Sequence, residues 1–149
     1  EGSEIGAAFG LEQLKKLPVN IKTRQSNFKI QKGFFDGFND FFDTPIENPK
    51  CETAWLAFPL VIKKDAPFRR KEFQIYLEER DIQTRVVFTG NVTRQPMCKN
   101  IQKRISSSGL INSDNIMERG VLLPVHHGMT SKMFERFQGA VTDFVNSKK

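Results

Sequence analysis

Cysteine is scarce in this chain of 149 residues: Cys51 and Cys98 are the only two, and they lie far apart. They form no CxxC redox pair, and two cannot make a disulfide framework or a zinc site by themselves. They read as buried or incidental thiols, which suits a reducing, cytoplasmic setting. Histidine is equally sparse. His126 and His127 are adjacent, but no carboxylate or thiol stands at matching spacing, so no metal site is expected. Long apolar runs are missing as well. Trp55–Ile62 and Gly120–Val125 are strand-sized, far short of the ~18 residues of a membrane span, so no membrane partner is expected. There is no Ser/His/Asp spacing, Walker loop or Rossmann glycine fingerprint, and no internal repeat. The triplet Asn91-Val92-Thr93 matches a glycosylation acceptor and is read as chance.

Apolar residues make up 38% of the chain and charged ones 27%, enough apolar material for one packed domain. The formal net charge is +6. Basic residues gather at Lys15-Lys16, at Lys63-Lys64 with Arg69-Arg70-Lys71, and at Lys148-Lys149. These are separate clusters without interleaved stacking groups. They read as solvated surface, and no nucleic-acid partner is expected. Phenylalanine is abundant at 14, which suggests that some apolar surface meets a partner. The chain opens at Glu1 without a methionine and soon enters an apolar helical pattern, as a piece of a longer protein would.

Ser3 is placed to cap a helix to about Leu17, with Ile5, Phe9, Leu11 and Leu14 on its apolar face. Gly6 and Gly10 in that face suggest close approach of another helix. Pro18 breaks or kinks the run. A second helix is expected from Val19 to Phe42, with Phe28, Phe35, Phe38 and Phe42 recurring on one side. Ala54–Lys63 reads as a strand buried on both faces, with Pro59 marking an edge or a bulge. The remaining expectations are a helix at 69–80, a strand at 82–88 and a loop at 89–99. A short helix at 114–119 follows, then a strand at 121–123 and a helix from the Thr130 cap to Val145. The sum is an α+β (α/β) fold, a small sheet flanked by helices with a long N-terminal helix pair.

The loop Gly90-Asn91-Val92-Thr93-Arg94-Gln95-Pro96 follows a strand, where α/β proteins place ligand contacts. Its two amides and guanidinium suit phosphate or sugar hydroxyls. A surface turn shaped by Gly90 and Pro96 explains the same residues about as well. His126 is a strand-end turn residue or a cleft residue on the same footing.

These segments together resemble the C-terminal part of the DegT/DnrJ/StrS family, vitamin B6-dependent enzymes acting on nucleotide-linked sugars. The likeness rests on residues 4–14 (EIGAAFGLEQL), on Arg24 and Asn27, on residues 84–96 (TRVVFTGNVTRQP), and on residues 123–129 (LPVHHGM) before the last helix. The run at 84–96 is similar to the version in the RfbH-like sugar 3-dehydratase branch. The resemblance implies the small C-terminal domain of the aspartate aminotransferase fold (fold type I), working in a homodimer. Residues 1–42 would be linking helices and residues 54–146 the small α/β sheet domain. It implies pyridoxal or pyridoxamine phosphate in a full-length parent, held by an N-terminal cofactor domain outside this chain. The lysine of an aminotransferase, or the histidine replacing it in a dehydratase, would lie upstream. No cofactor-binding or catalytic residue is assigned within residues 1–149. Arg94, Asn91, Gln95 and His126 become the candidate contacts to a nucleotide sugar, lining one cleft that this domain closes. Two readings remain at this level. One is a fragment of a sugar aminotransferase or 3-dehydratase of deoxysugar and lipopolysaccharide synthesis, inactive alone. The other is a stand-alone binding module of the same fold. The reading frame upstream of Glu1 separates them.

Overall fold

Pro18 does not end the first helix. The structure, a computed structural model describing residues 2–149, carries one α-helix from Glu4 to Asp36, α1, 33 residues long with Pro18 inside it. Proline withholds the N–H that would bond the Leu14 carbonyl. Both residues are exposed here, so water can take that carbonyl, and the helix formers on either side carry the run through. The expected helix pair is therefore one helix. It also stops earlier than expected. The Gly37 N–H closes on the Phe34 carbonyl and the Phe38 N–H on that of Phe35, and the chain turns through residues 38–41 into a short strand, β1, at Phe42–Asp43.

The remaining elements are β2 (Phe58–Ile62), α2 (Arg70–Glu78), β3 (Arg85–Val86), α3 (Ile111–Arg119), β4 (Gly120–Leu123) and α4 (Ser131–Asn146). Two 3-10 turns, Val92–Arg94 and Pro96–Cys98, punctuate the long connection after β3. The sheet runs β1-β2-β4-β3, and every neighbouring pair is antiparallel. Phe58 pairs with Leu123 and Val61 with Gly120, while Arg85 pairs with Leu122. β1 reaches only Val61 and Ile62. At Pro59 the strand β2 thus has a neighbour on one side alone, and the missing donor costs no ladder bond on the open side.

Residues in β2 alternate. Phe58, Leu60 and Ile62 are buried and Pro59 and Val61 are half-buried, so burial falls mainly on one face rather than equally on both. Against the buried face lie rings from every helix except α3. Phe35 of α1 stacks on Phe58 with centroids 5.4 Å apart and meets Phe42 at 5.4 Å and Phe137 of α4 at 6.0 Å. Phe73 of α2 bridges Phe42 and Phe144 of α4. Trp55 lies flat on Phe28 at 4.3 Å. α4 behaves as its 3.6-residue pattern dictates: Phe134, Phe137, Val141 and Phe144 face inward, and the Thr130 hydroxyl accepts from the Met133 N–H at 3.3 Å.

The phenylalanine face of α1 is thus consumed inside this domain. Its N-terminal half is not. Ile5, Phe9, Leu11, Leu14, Leu17 and Val19 stay exposed, Ile5 by 83% and Phe9 by 67%. Apart from its chain neighbours and its own helix backbone, no described residue lies within 4 Å of where a side chain on Gly10 would begin.

Truncation at two phenylalanines of one helix should separate these halves. Phe35→Ala is expected to cost about 3–5 kcal/mol in urea unfolding, because the cavity opens at the centre of the ring cluster. Phe9→Ala, measured at a concentration where the chain is monomeric, should stay within about 0.5 kcal/mol, as for other exposed positions. Equal losses at both sites would overturn the assignment.

Candidate functional site

After Val86 the chain leaves the sheet in a tight turn. Phe88 and Gly90 take positive φ, 46° and 63°, and the Gly90 N–H bonds the Val87 carbonyl. A Cβ at Gly90 would sit 2.3 Å from Cβ of Met117 on α3, so only glycine lets the loop lie against that helix. Phe88 is 85% exposed in a conformation that a bulky residue rarely adopts.

The turn delivers Asn91 into a buried position. Its Oδ1 accepts from the Thr93 N–H at 3.1 Å and the Thr93 hydroxyl at 2.7 Å, an amide cap on the 3-10 turn. Its Nδ2 donates to Oδ1 of Asp114 at 2.7 Å. Arg94 reaches the same carboxylate with two parallel bonds, Nε to Oδ1 at 3.0 Å and Nη2 to Oδ2 at 2.8 Å. Hydrogen bonds from Arg94 first, and from Asn91 second, pull the Asp114 carboxyl down to about 2. Asp114 in return holds the guanidinium pKa above its usual value. Asp114 also sits in the first turn of α3, where a negative charge suits the helix dipole. Gln95 donates from Nε2 to the Thr89 carbonyl at 3.2 Å, closing the loop on itself.

Asn91 and Arg94 therefore converge on one carboxylate, with Gln95 bracing the same turn. Asp114 carries no signal in the sequence beyond being an acid at a helix start, and its role depends on the fold bringing α3 under the loop. Arg94 remains 59% exposed, and its Nη1 makes no bond among the described residues, so one edge of the fork faces outward.

His126 is elsewhere. Antiparallel pairing sets the end of β3 beside the start of β4, so His126, beyond the end of β4, lies at the opposite end of the sheet from the loop. It lines a cavity of about 380 Å³ with Leu56, Arg85, Met133 and Arg136, and none of residues 91–95 borders that cavity. Within this chain Arg94 and His126 border no common cavity. Arg24 and Asn27, which carry the family resemblance on α1, act at the second end together with Gln31. Asn27 donates to the His126 carbonyl at 2.8 Å, Gln31 to the Pro124 carbonyl at 3.2 Å, and Arg24 to the Trp55 carbonyl at 3.1 Å. They lash α1 to the segment after β4 and before β2.

Among the described residues no group of three or more His, Cys, Asp or Glu side chains could hold a metal ion. Cys51 is exposed and Cys98 half-buried, both as free thiols. No helix among the described residues is long and apolar enough to cross a membrane.

A sequence model of the DegT/DnrJ/EryC1/StrS aminotransferase family matches residues 3–142. The chain is 30% identical to the lipopolysaccharide biosynthesis protein RfbH of Salmonella typhimurium, covering 92% of this chain and 33% of that protein. It is also 30% identical to a dTDP-4-dehydro-2,6-dideoxy-D-glucose 3-dehydratase of Saccharopolyspora spinosa, over 96% of this chain and 30% of that one. Its fold is similar to that of an E. coli GDP-4-keto-6-deoxy-D-mannose-3-dehydratase solved with hydrated PLP. There the TM-score is 0.72 at 27% identity, over 95% of this chain and 34% of the other. A variant of the corresponding enzyme ColD, solved with bound GDP-perosamine, gives a TM-score of 0.77 at 27% identity, over 90% of this chain and 34% of that one. The chain spans about a third of the length of the curated relatives it matches.

The Asp114 clamp predicts an acid dependence. A carboxyl lowered by folding from 3.8 to about 2 adds stability above its unfolded value and loses it as pH falls through the folded one. Wild type should therefore melt higher than Asp114→Asn at neutral pH, and the gap should close between about pH 4 and 2. A gap that stays constant across that window would show that the charge is not what the clamp uses.

Proposed function

The chain belongs to the DegT/DnrJ/EryC1/StrS aminotransferase family, and on that premise we propose that it is the C-terminal small domain of a longer cytoplasmic enzyme. That enzyme acts on a nucleotide-linked sugar with pyridoxal or pyridoxamine phosphate and falls in the 3-dehydratase branch. The observation that carries this reading is the family match across residues 3–142 in a chain one-third as long as its relatives. The 3-dehydratases among those relatives favour that branch over aminotransfer. α1 fits the same reading. Its second half is core, and its first half leaves Ile5, Phe9, Leu11 and Leu14 exposed among the described residues, the form expected of a linker docked on a preceding domain.

The residues present do not fit the cofactor. No lysine among the described residues is buried, and both histidines are exposed, so nothing here forms a cradle around a pyridine ring. The cofactor, whose ring serves as an electron sink when bound, is assigned to the domain outside this chain. What this chain contributes is closure of the substrate cleft and polar contacts to the sugar nucleotide. The outward edge of Arg94, braced by Asp114, Asn91 and Gln95, is the contact at one end of the sheet. His126 is the weaker contact at the other, reaching a different part of the cleft.

Mixed with pyridoxal phosphate, the 149-residue chain should give only scattered lysine adducts reversed by dilution. A stoichiometric imine on one lysine would overturn the assignment of the cofactor to another domain. In the full-length enzyme, Arg94→Ala should lower kcat/KM for the nucleotide sugar by roughly tenfold to a hundredfold, the loss of one charge-assisted contact. Arg94→Lys should recover little of it, because the fork to Asp114 is lost. A lowered melting temperature with unchanged kcat/KM would remove Arg94 from the site and leave it a loop clamp. Cut free of its neighbour, the chain should also self-associate through the bare half of α1. Sedimentation of wild type should show concentration dependence, and Phe9→Ser with Leu14→Ser should abolish it. A wild-type monomer at every concentration would count against the docking role.

A further inference from the structure

The end of β2, the loop after it, the first turn of α2 and the last turn of α3 enclose a cavity of about 440 Å³. Lys63, Lys64, Arg69, Arg70, Lys71 and Arg119 line it against a single acid, Glu118. The sequence shows Lys63-Lys64 and Arg69-Arg70-Lys71 only as ordinary surface clusters. Folding places both around one hollow and adds Arg119 from the far end of α3. Little of this charge is neutralised. Lys63 stands 3.8 Å from Asp43, on the edge of pairing distance. Arg70 donates Nη1 to the Met117 and Gly120 carbonyls at 2.6 and 3.3 Å, and Arg119 to the Ile62 carbonyl at 3.3 Å. Those bonds fix the guanidiniums without cancelling them. No carboxylate pairs with Lys64, Arg69 or Lys71 among the described residues.

A second feature sharpens the case. Arg69 is the residue preceding α2, and its side chain makes no cap bond. A guanidinium has no acceptor to offer the free amides of the first turn. Three cations in a row, Arg69 to Lys71, stand at the positive end of the helix dipole, where cations are unfavourable. Glu72 relieves this in part, accepting from the Arg69 N–H at 3.1 Å, but it is shared with Lys148 at 3.0 Å. The chain thus tolerates a local electrostatic conflict at the mouth of a cavity, and an anion would relieve it.

We propose that this cavity binds a small, multiply charged phosphate anion of the diphosphate class. Fixed forks from Arg70 and Arg119 are held in place by backbone carbonyls, and the mobile ammonium groups of Lys64 and Lys71 close over the ligand. The proposal does not rest on the enzymatic reading above, and the cavity lies outside the Asn91–Asp114–Arg94 cluster. A diphosphate could arrive as the free ion or as part of a nucleotide.

The probe is inorganic pyrophosphate, titrated into the 149-residue chain by calorimetry and followed through the amide resonances of residues 63–64 and 69–71. Saturable one-site binding is expected, weakened about tenfold or more in Lys64→Gln with Lys71→Gln. Neither lysine contacts the core, so that variant should keep the ligand-free melting temperature of wild type. Equal affinity for pyrophosphate and guanosine diphosphate would mark the free ion as the ligand, and tighter binding of the nucleotide would mark the nucleotide; either supports the site. Three results would overturn it: a response matched by sodium chloride at equal ionic strength, a response unchanged in the double variant, or binding of polyglutamate with none of pyrophosphate.

Discussion

Phe35 has no exposed surface and touches rings from four other places in the chain: Phe34 beside it, Phe42 of β1, Phe58 of β2 and Phe137 of α4. Through Phe42 and Phe73 the cluster reaches α2, and through Phe144 it returns to α4. A sheet with strands of two to five residues has few ladder bonds to hold it, and a sheet this small is marginal without a covered face. The rings supply the cover. Each contributes a large buried area, and the tilted and edge-on pairs add about 0.5–1.5 kcal/mol apiece beyond it.

Fastening α1 over the sheet in this way has a consequence for function. The last turns of α1 are locked by rings, and Arg24, Asn27 and Gln31 add bonds to backbone carbonyls at the far end of the sheet. From Glu4 to Val19 the helix runs for about four turns with its large apolar side chains exposed. A helical arm with exposed apolar side chains is thus anchored in this domain by its C-terminal half. In the proposed enzyme that arm would set the position of the small domain over the cofactor.

The polar machinery sits at the two ends of the sheet and is organised by different forces. Near the start of β4, charge governs: Asp114 gathers Asn91 and Arg94, and Arg70 and Arg119 are steered by backbone carbonyls into the basic hollow. Near its end, the His126 cavity is bordered mainly by Leu56, Leu123, Val125, Met133 and Phe137, with Arg85 and Arg136 at the rim. The strained turn at Phe88 and Gly90 is held because Met117 packs where any side chain on residue 90 would go.

Local signals determined a good deal. The inward face of α4, the Thr130 cap, and the existence of helices expected at 69–80 and 114–119 and strands at 54–63 and 121–123, found at 70–78, 111–119, 58–62 and 120–123, follow from residue spacing and capping chemistry, which need no partner to be read. The family was legible from runs such as residues 84–96, and with it the α+β fold. Tertiary structure decided the rest. Whether Pro18 ended a helix depended on solvation of the Leu14 carbonyl, and whether Phe28 and Phe35 faced a partner or the chain's own sheet depended on where that sheet lay. Arg94 and His126 look equally near a cleft along the sequence, but antiparallel register sends them to opposite ends. Asp114, which orients the candidate loop, and Arg119, which completes the basic hollow, are remote from their partners in sequence. Side-chain spacing reports periodicity along one element; it carries no information about which elements fold against each other, and that is fixed only when the rings close the core.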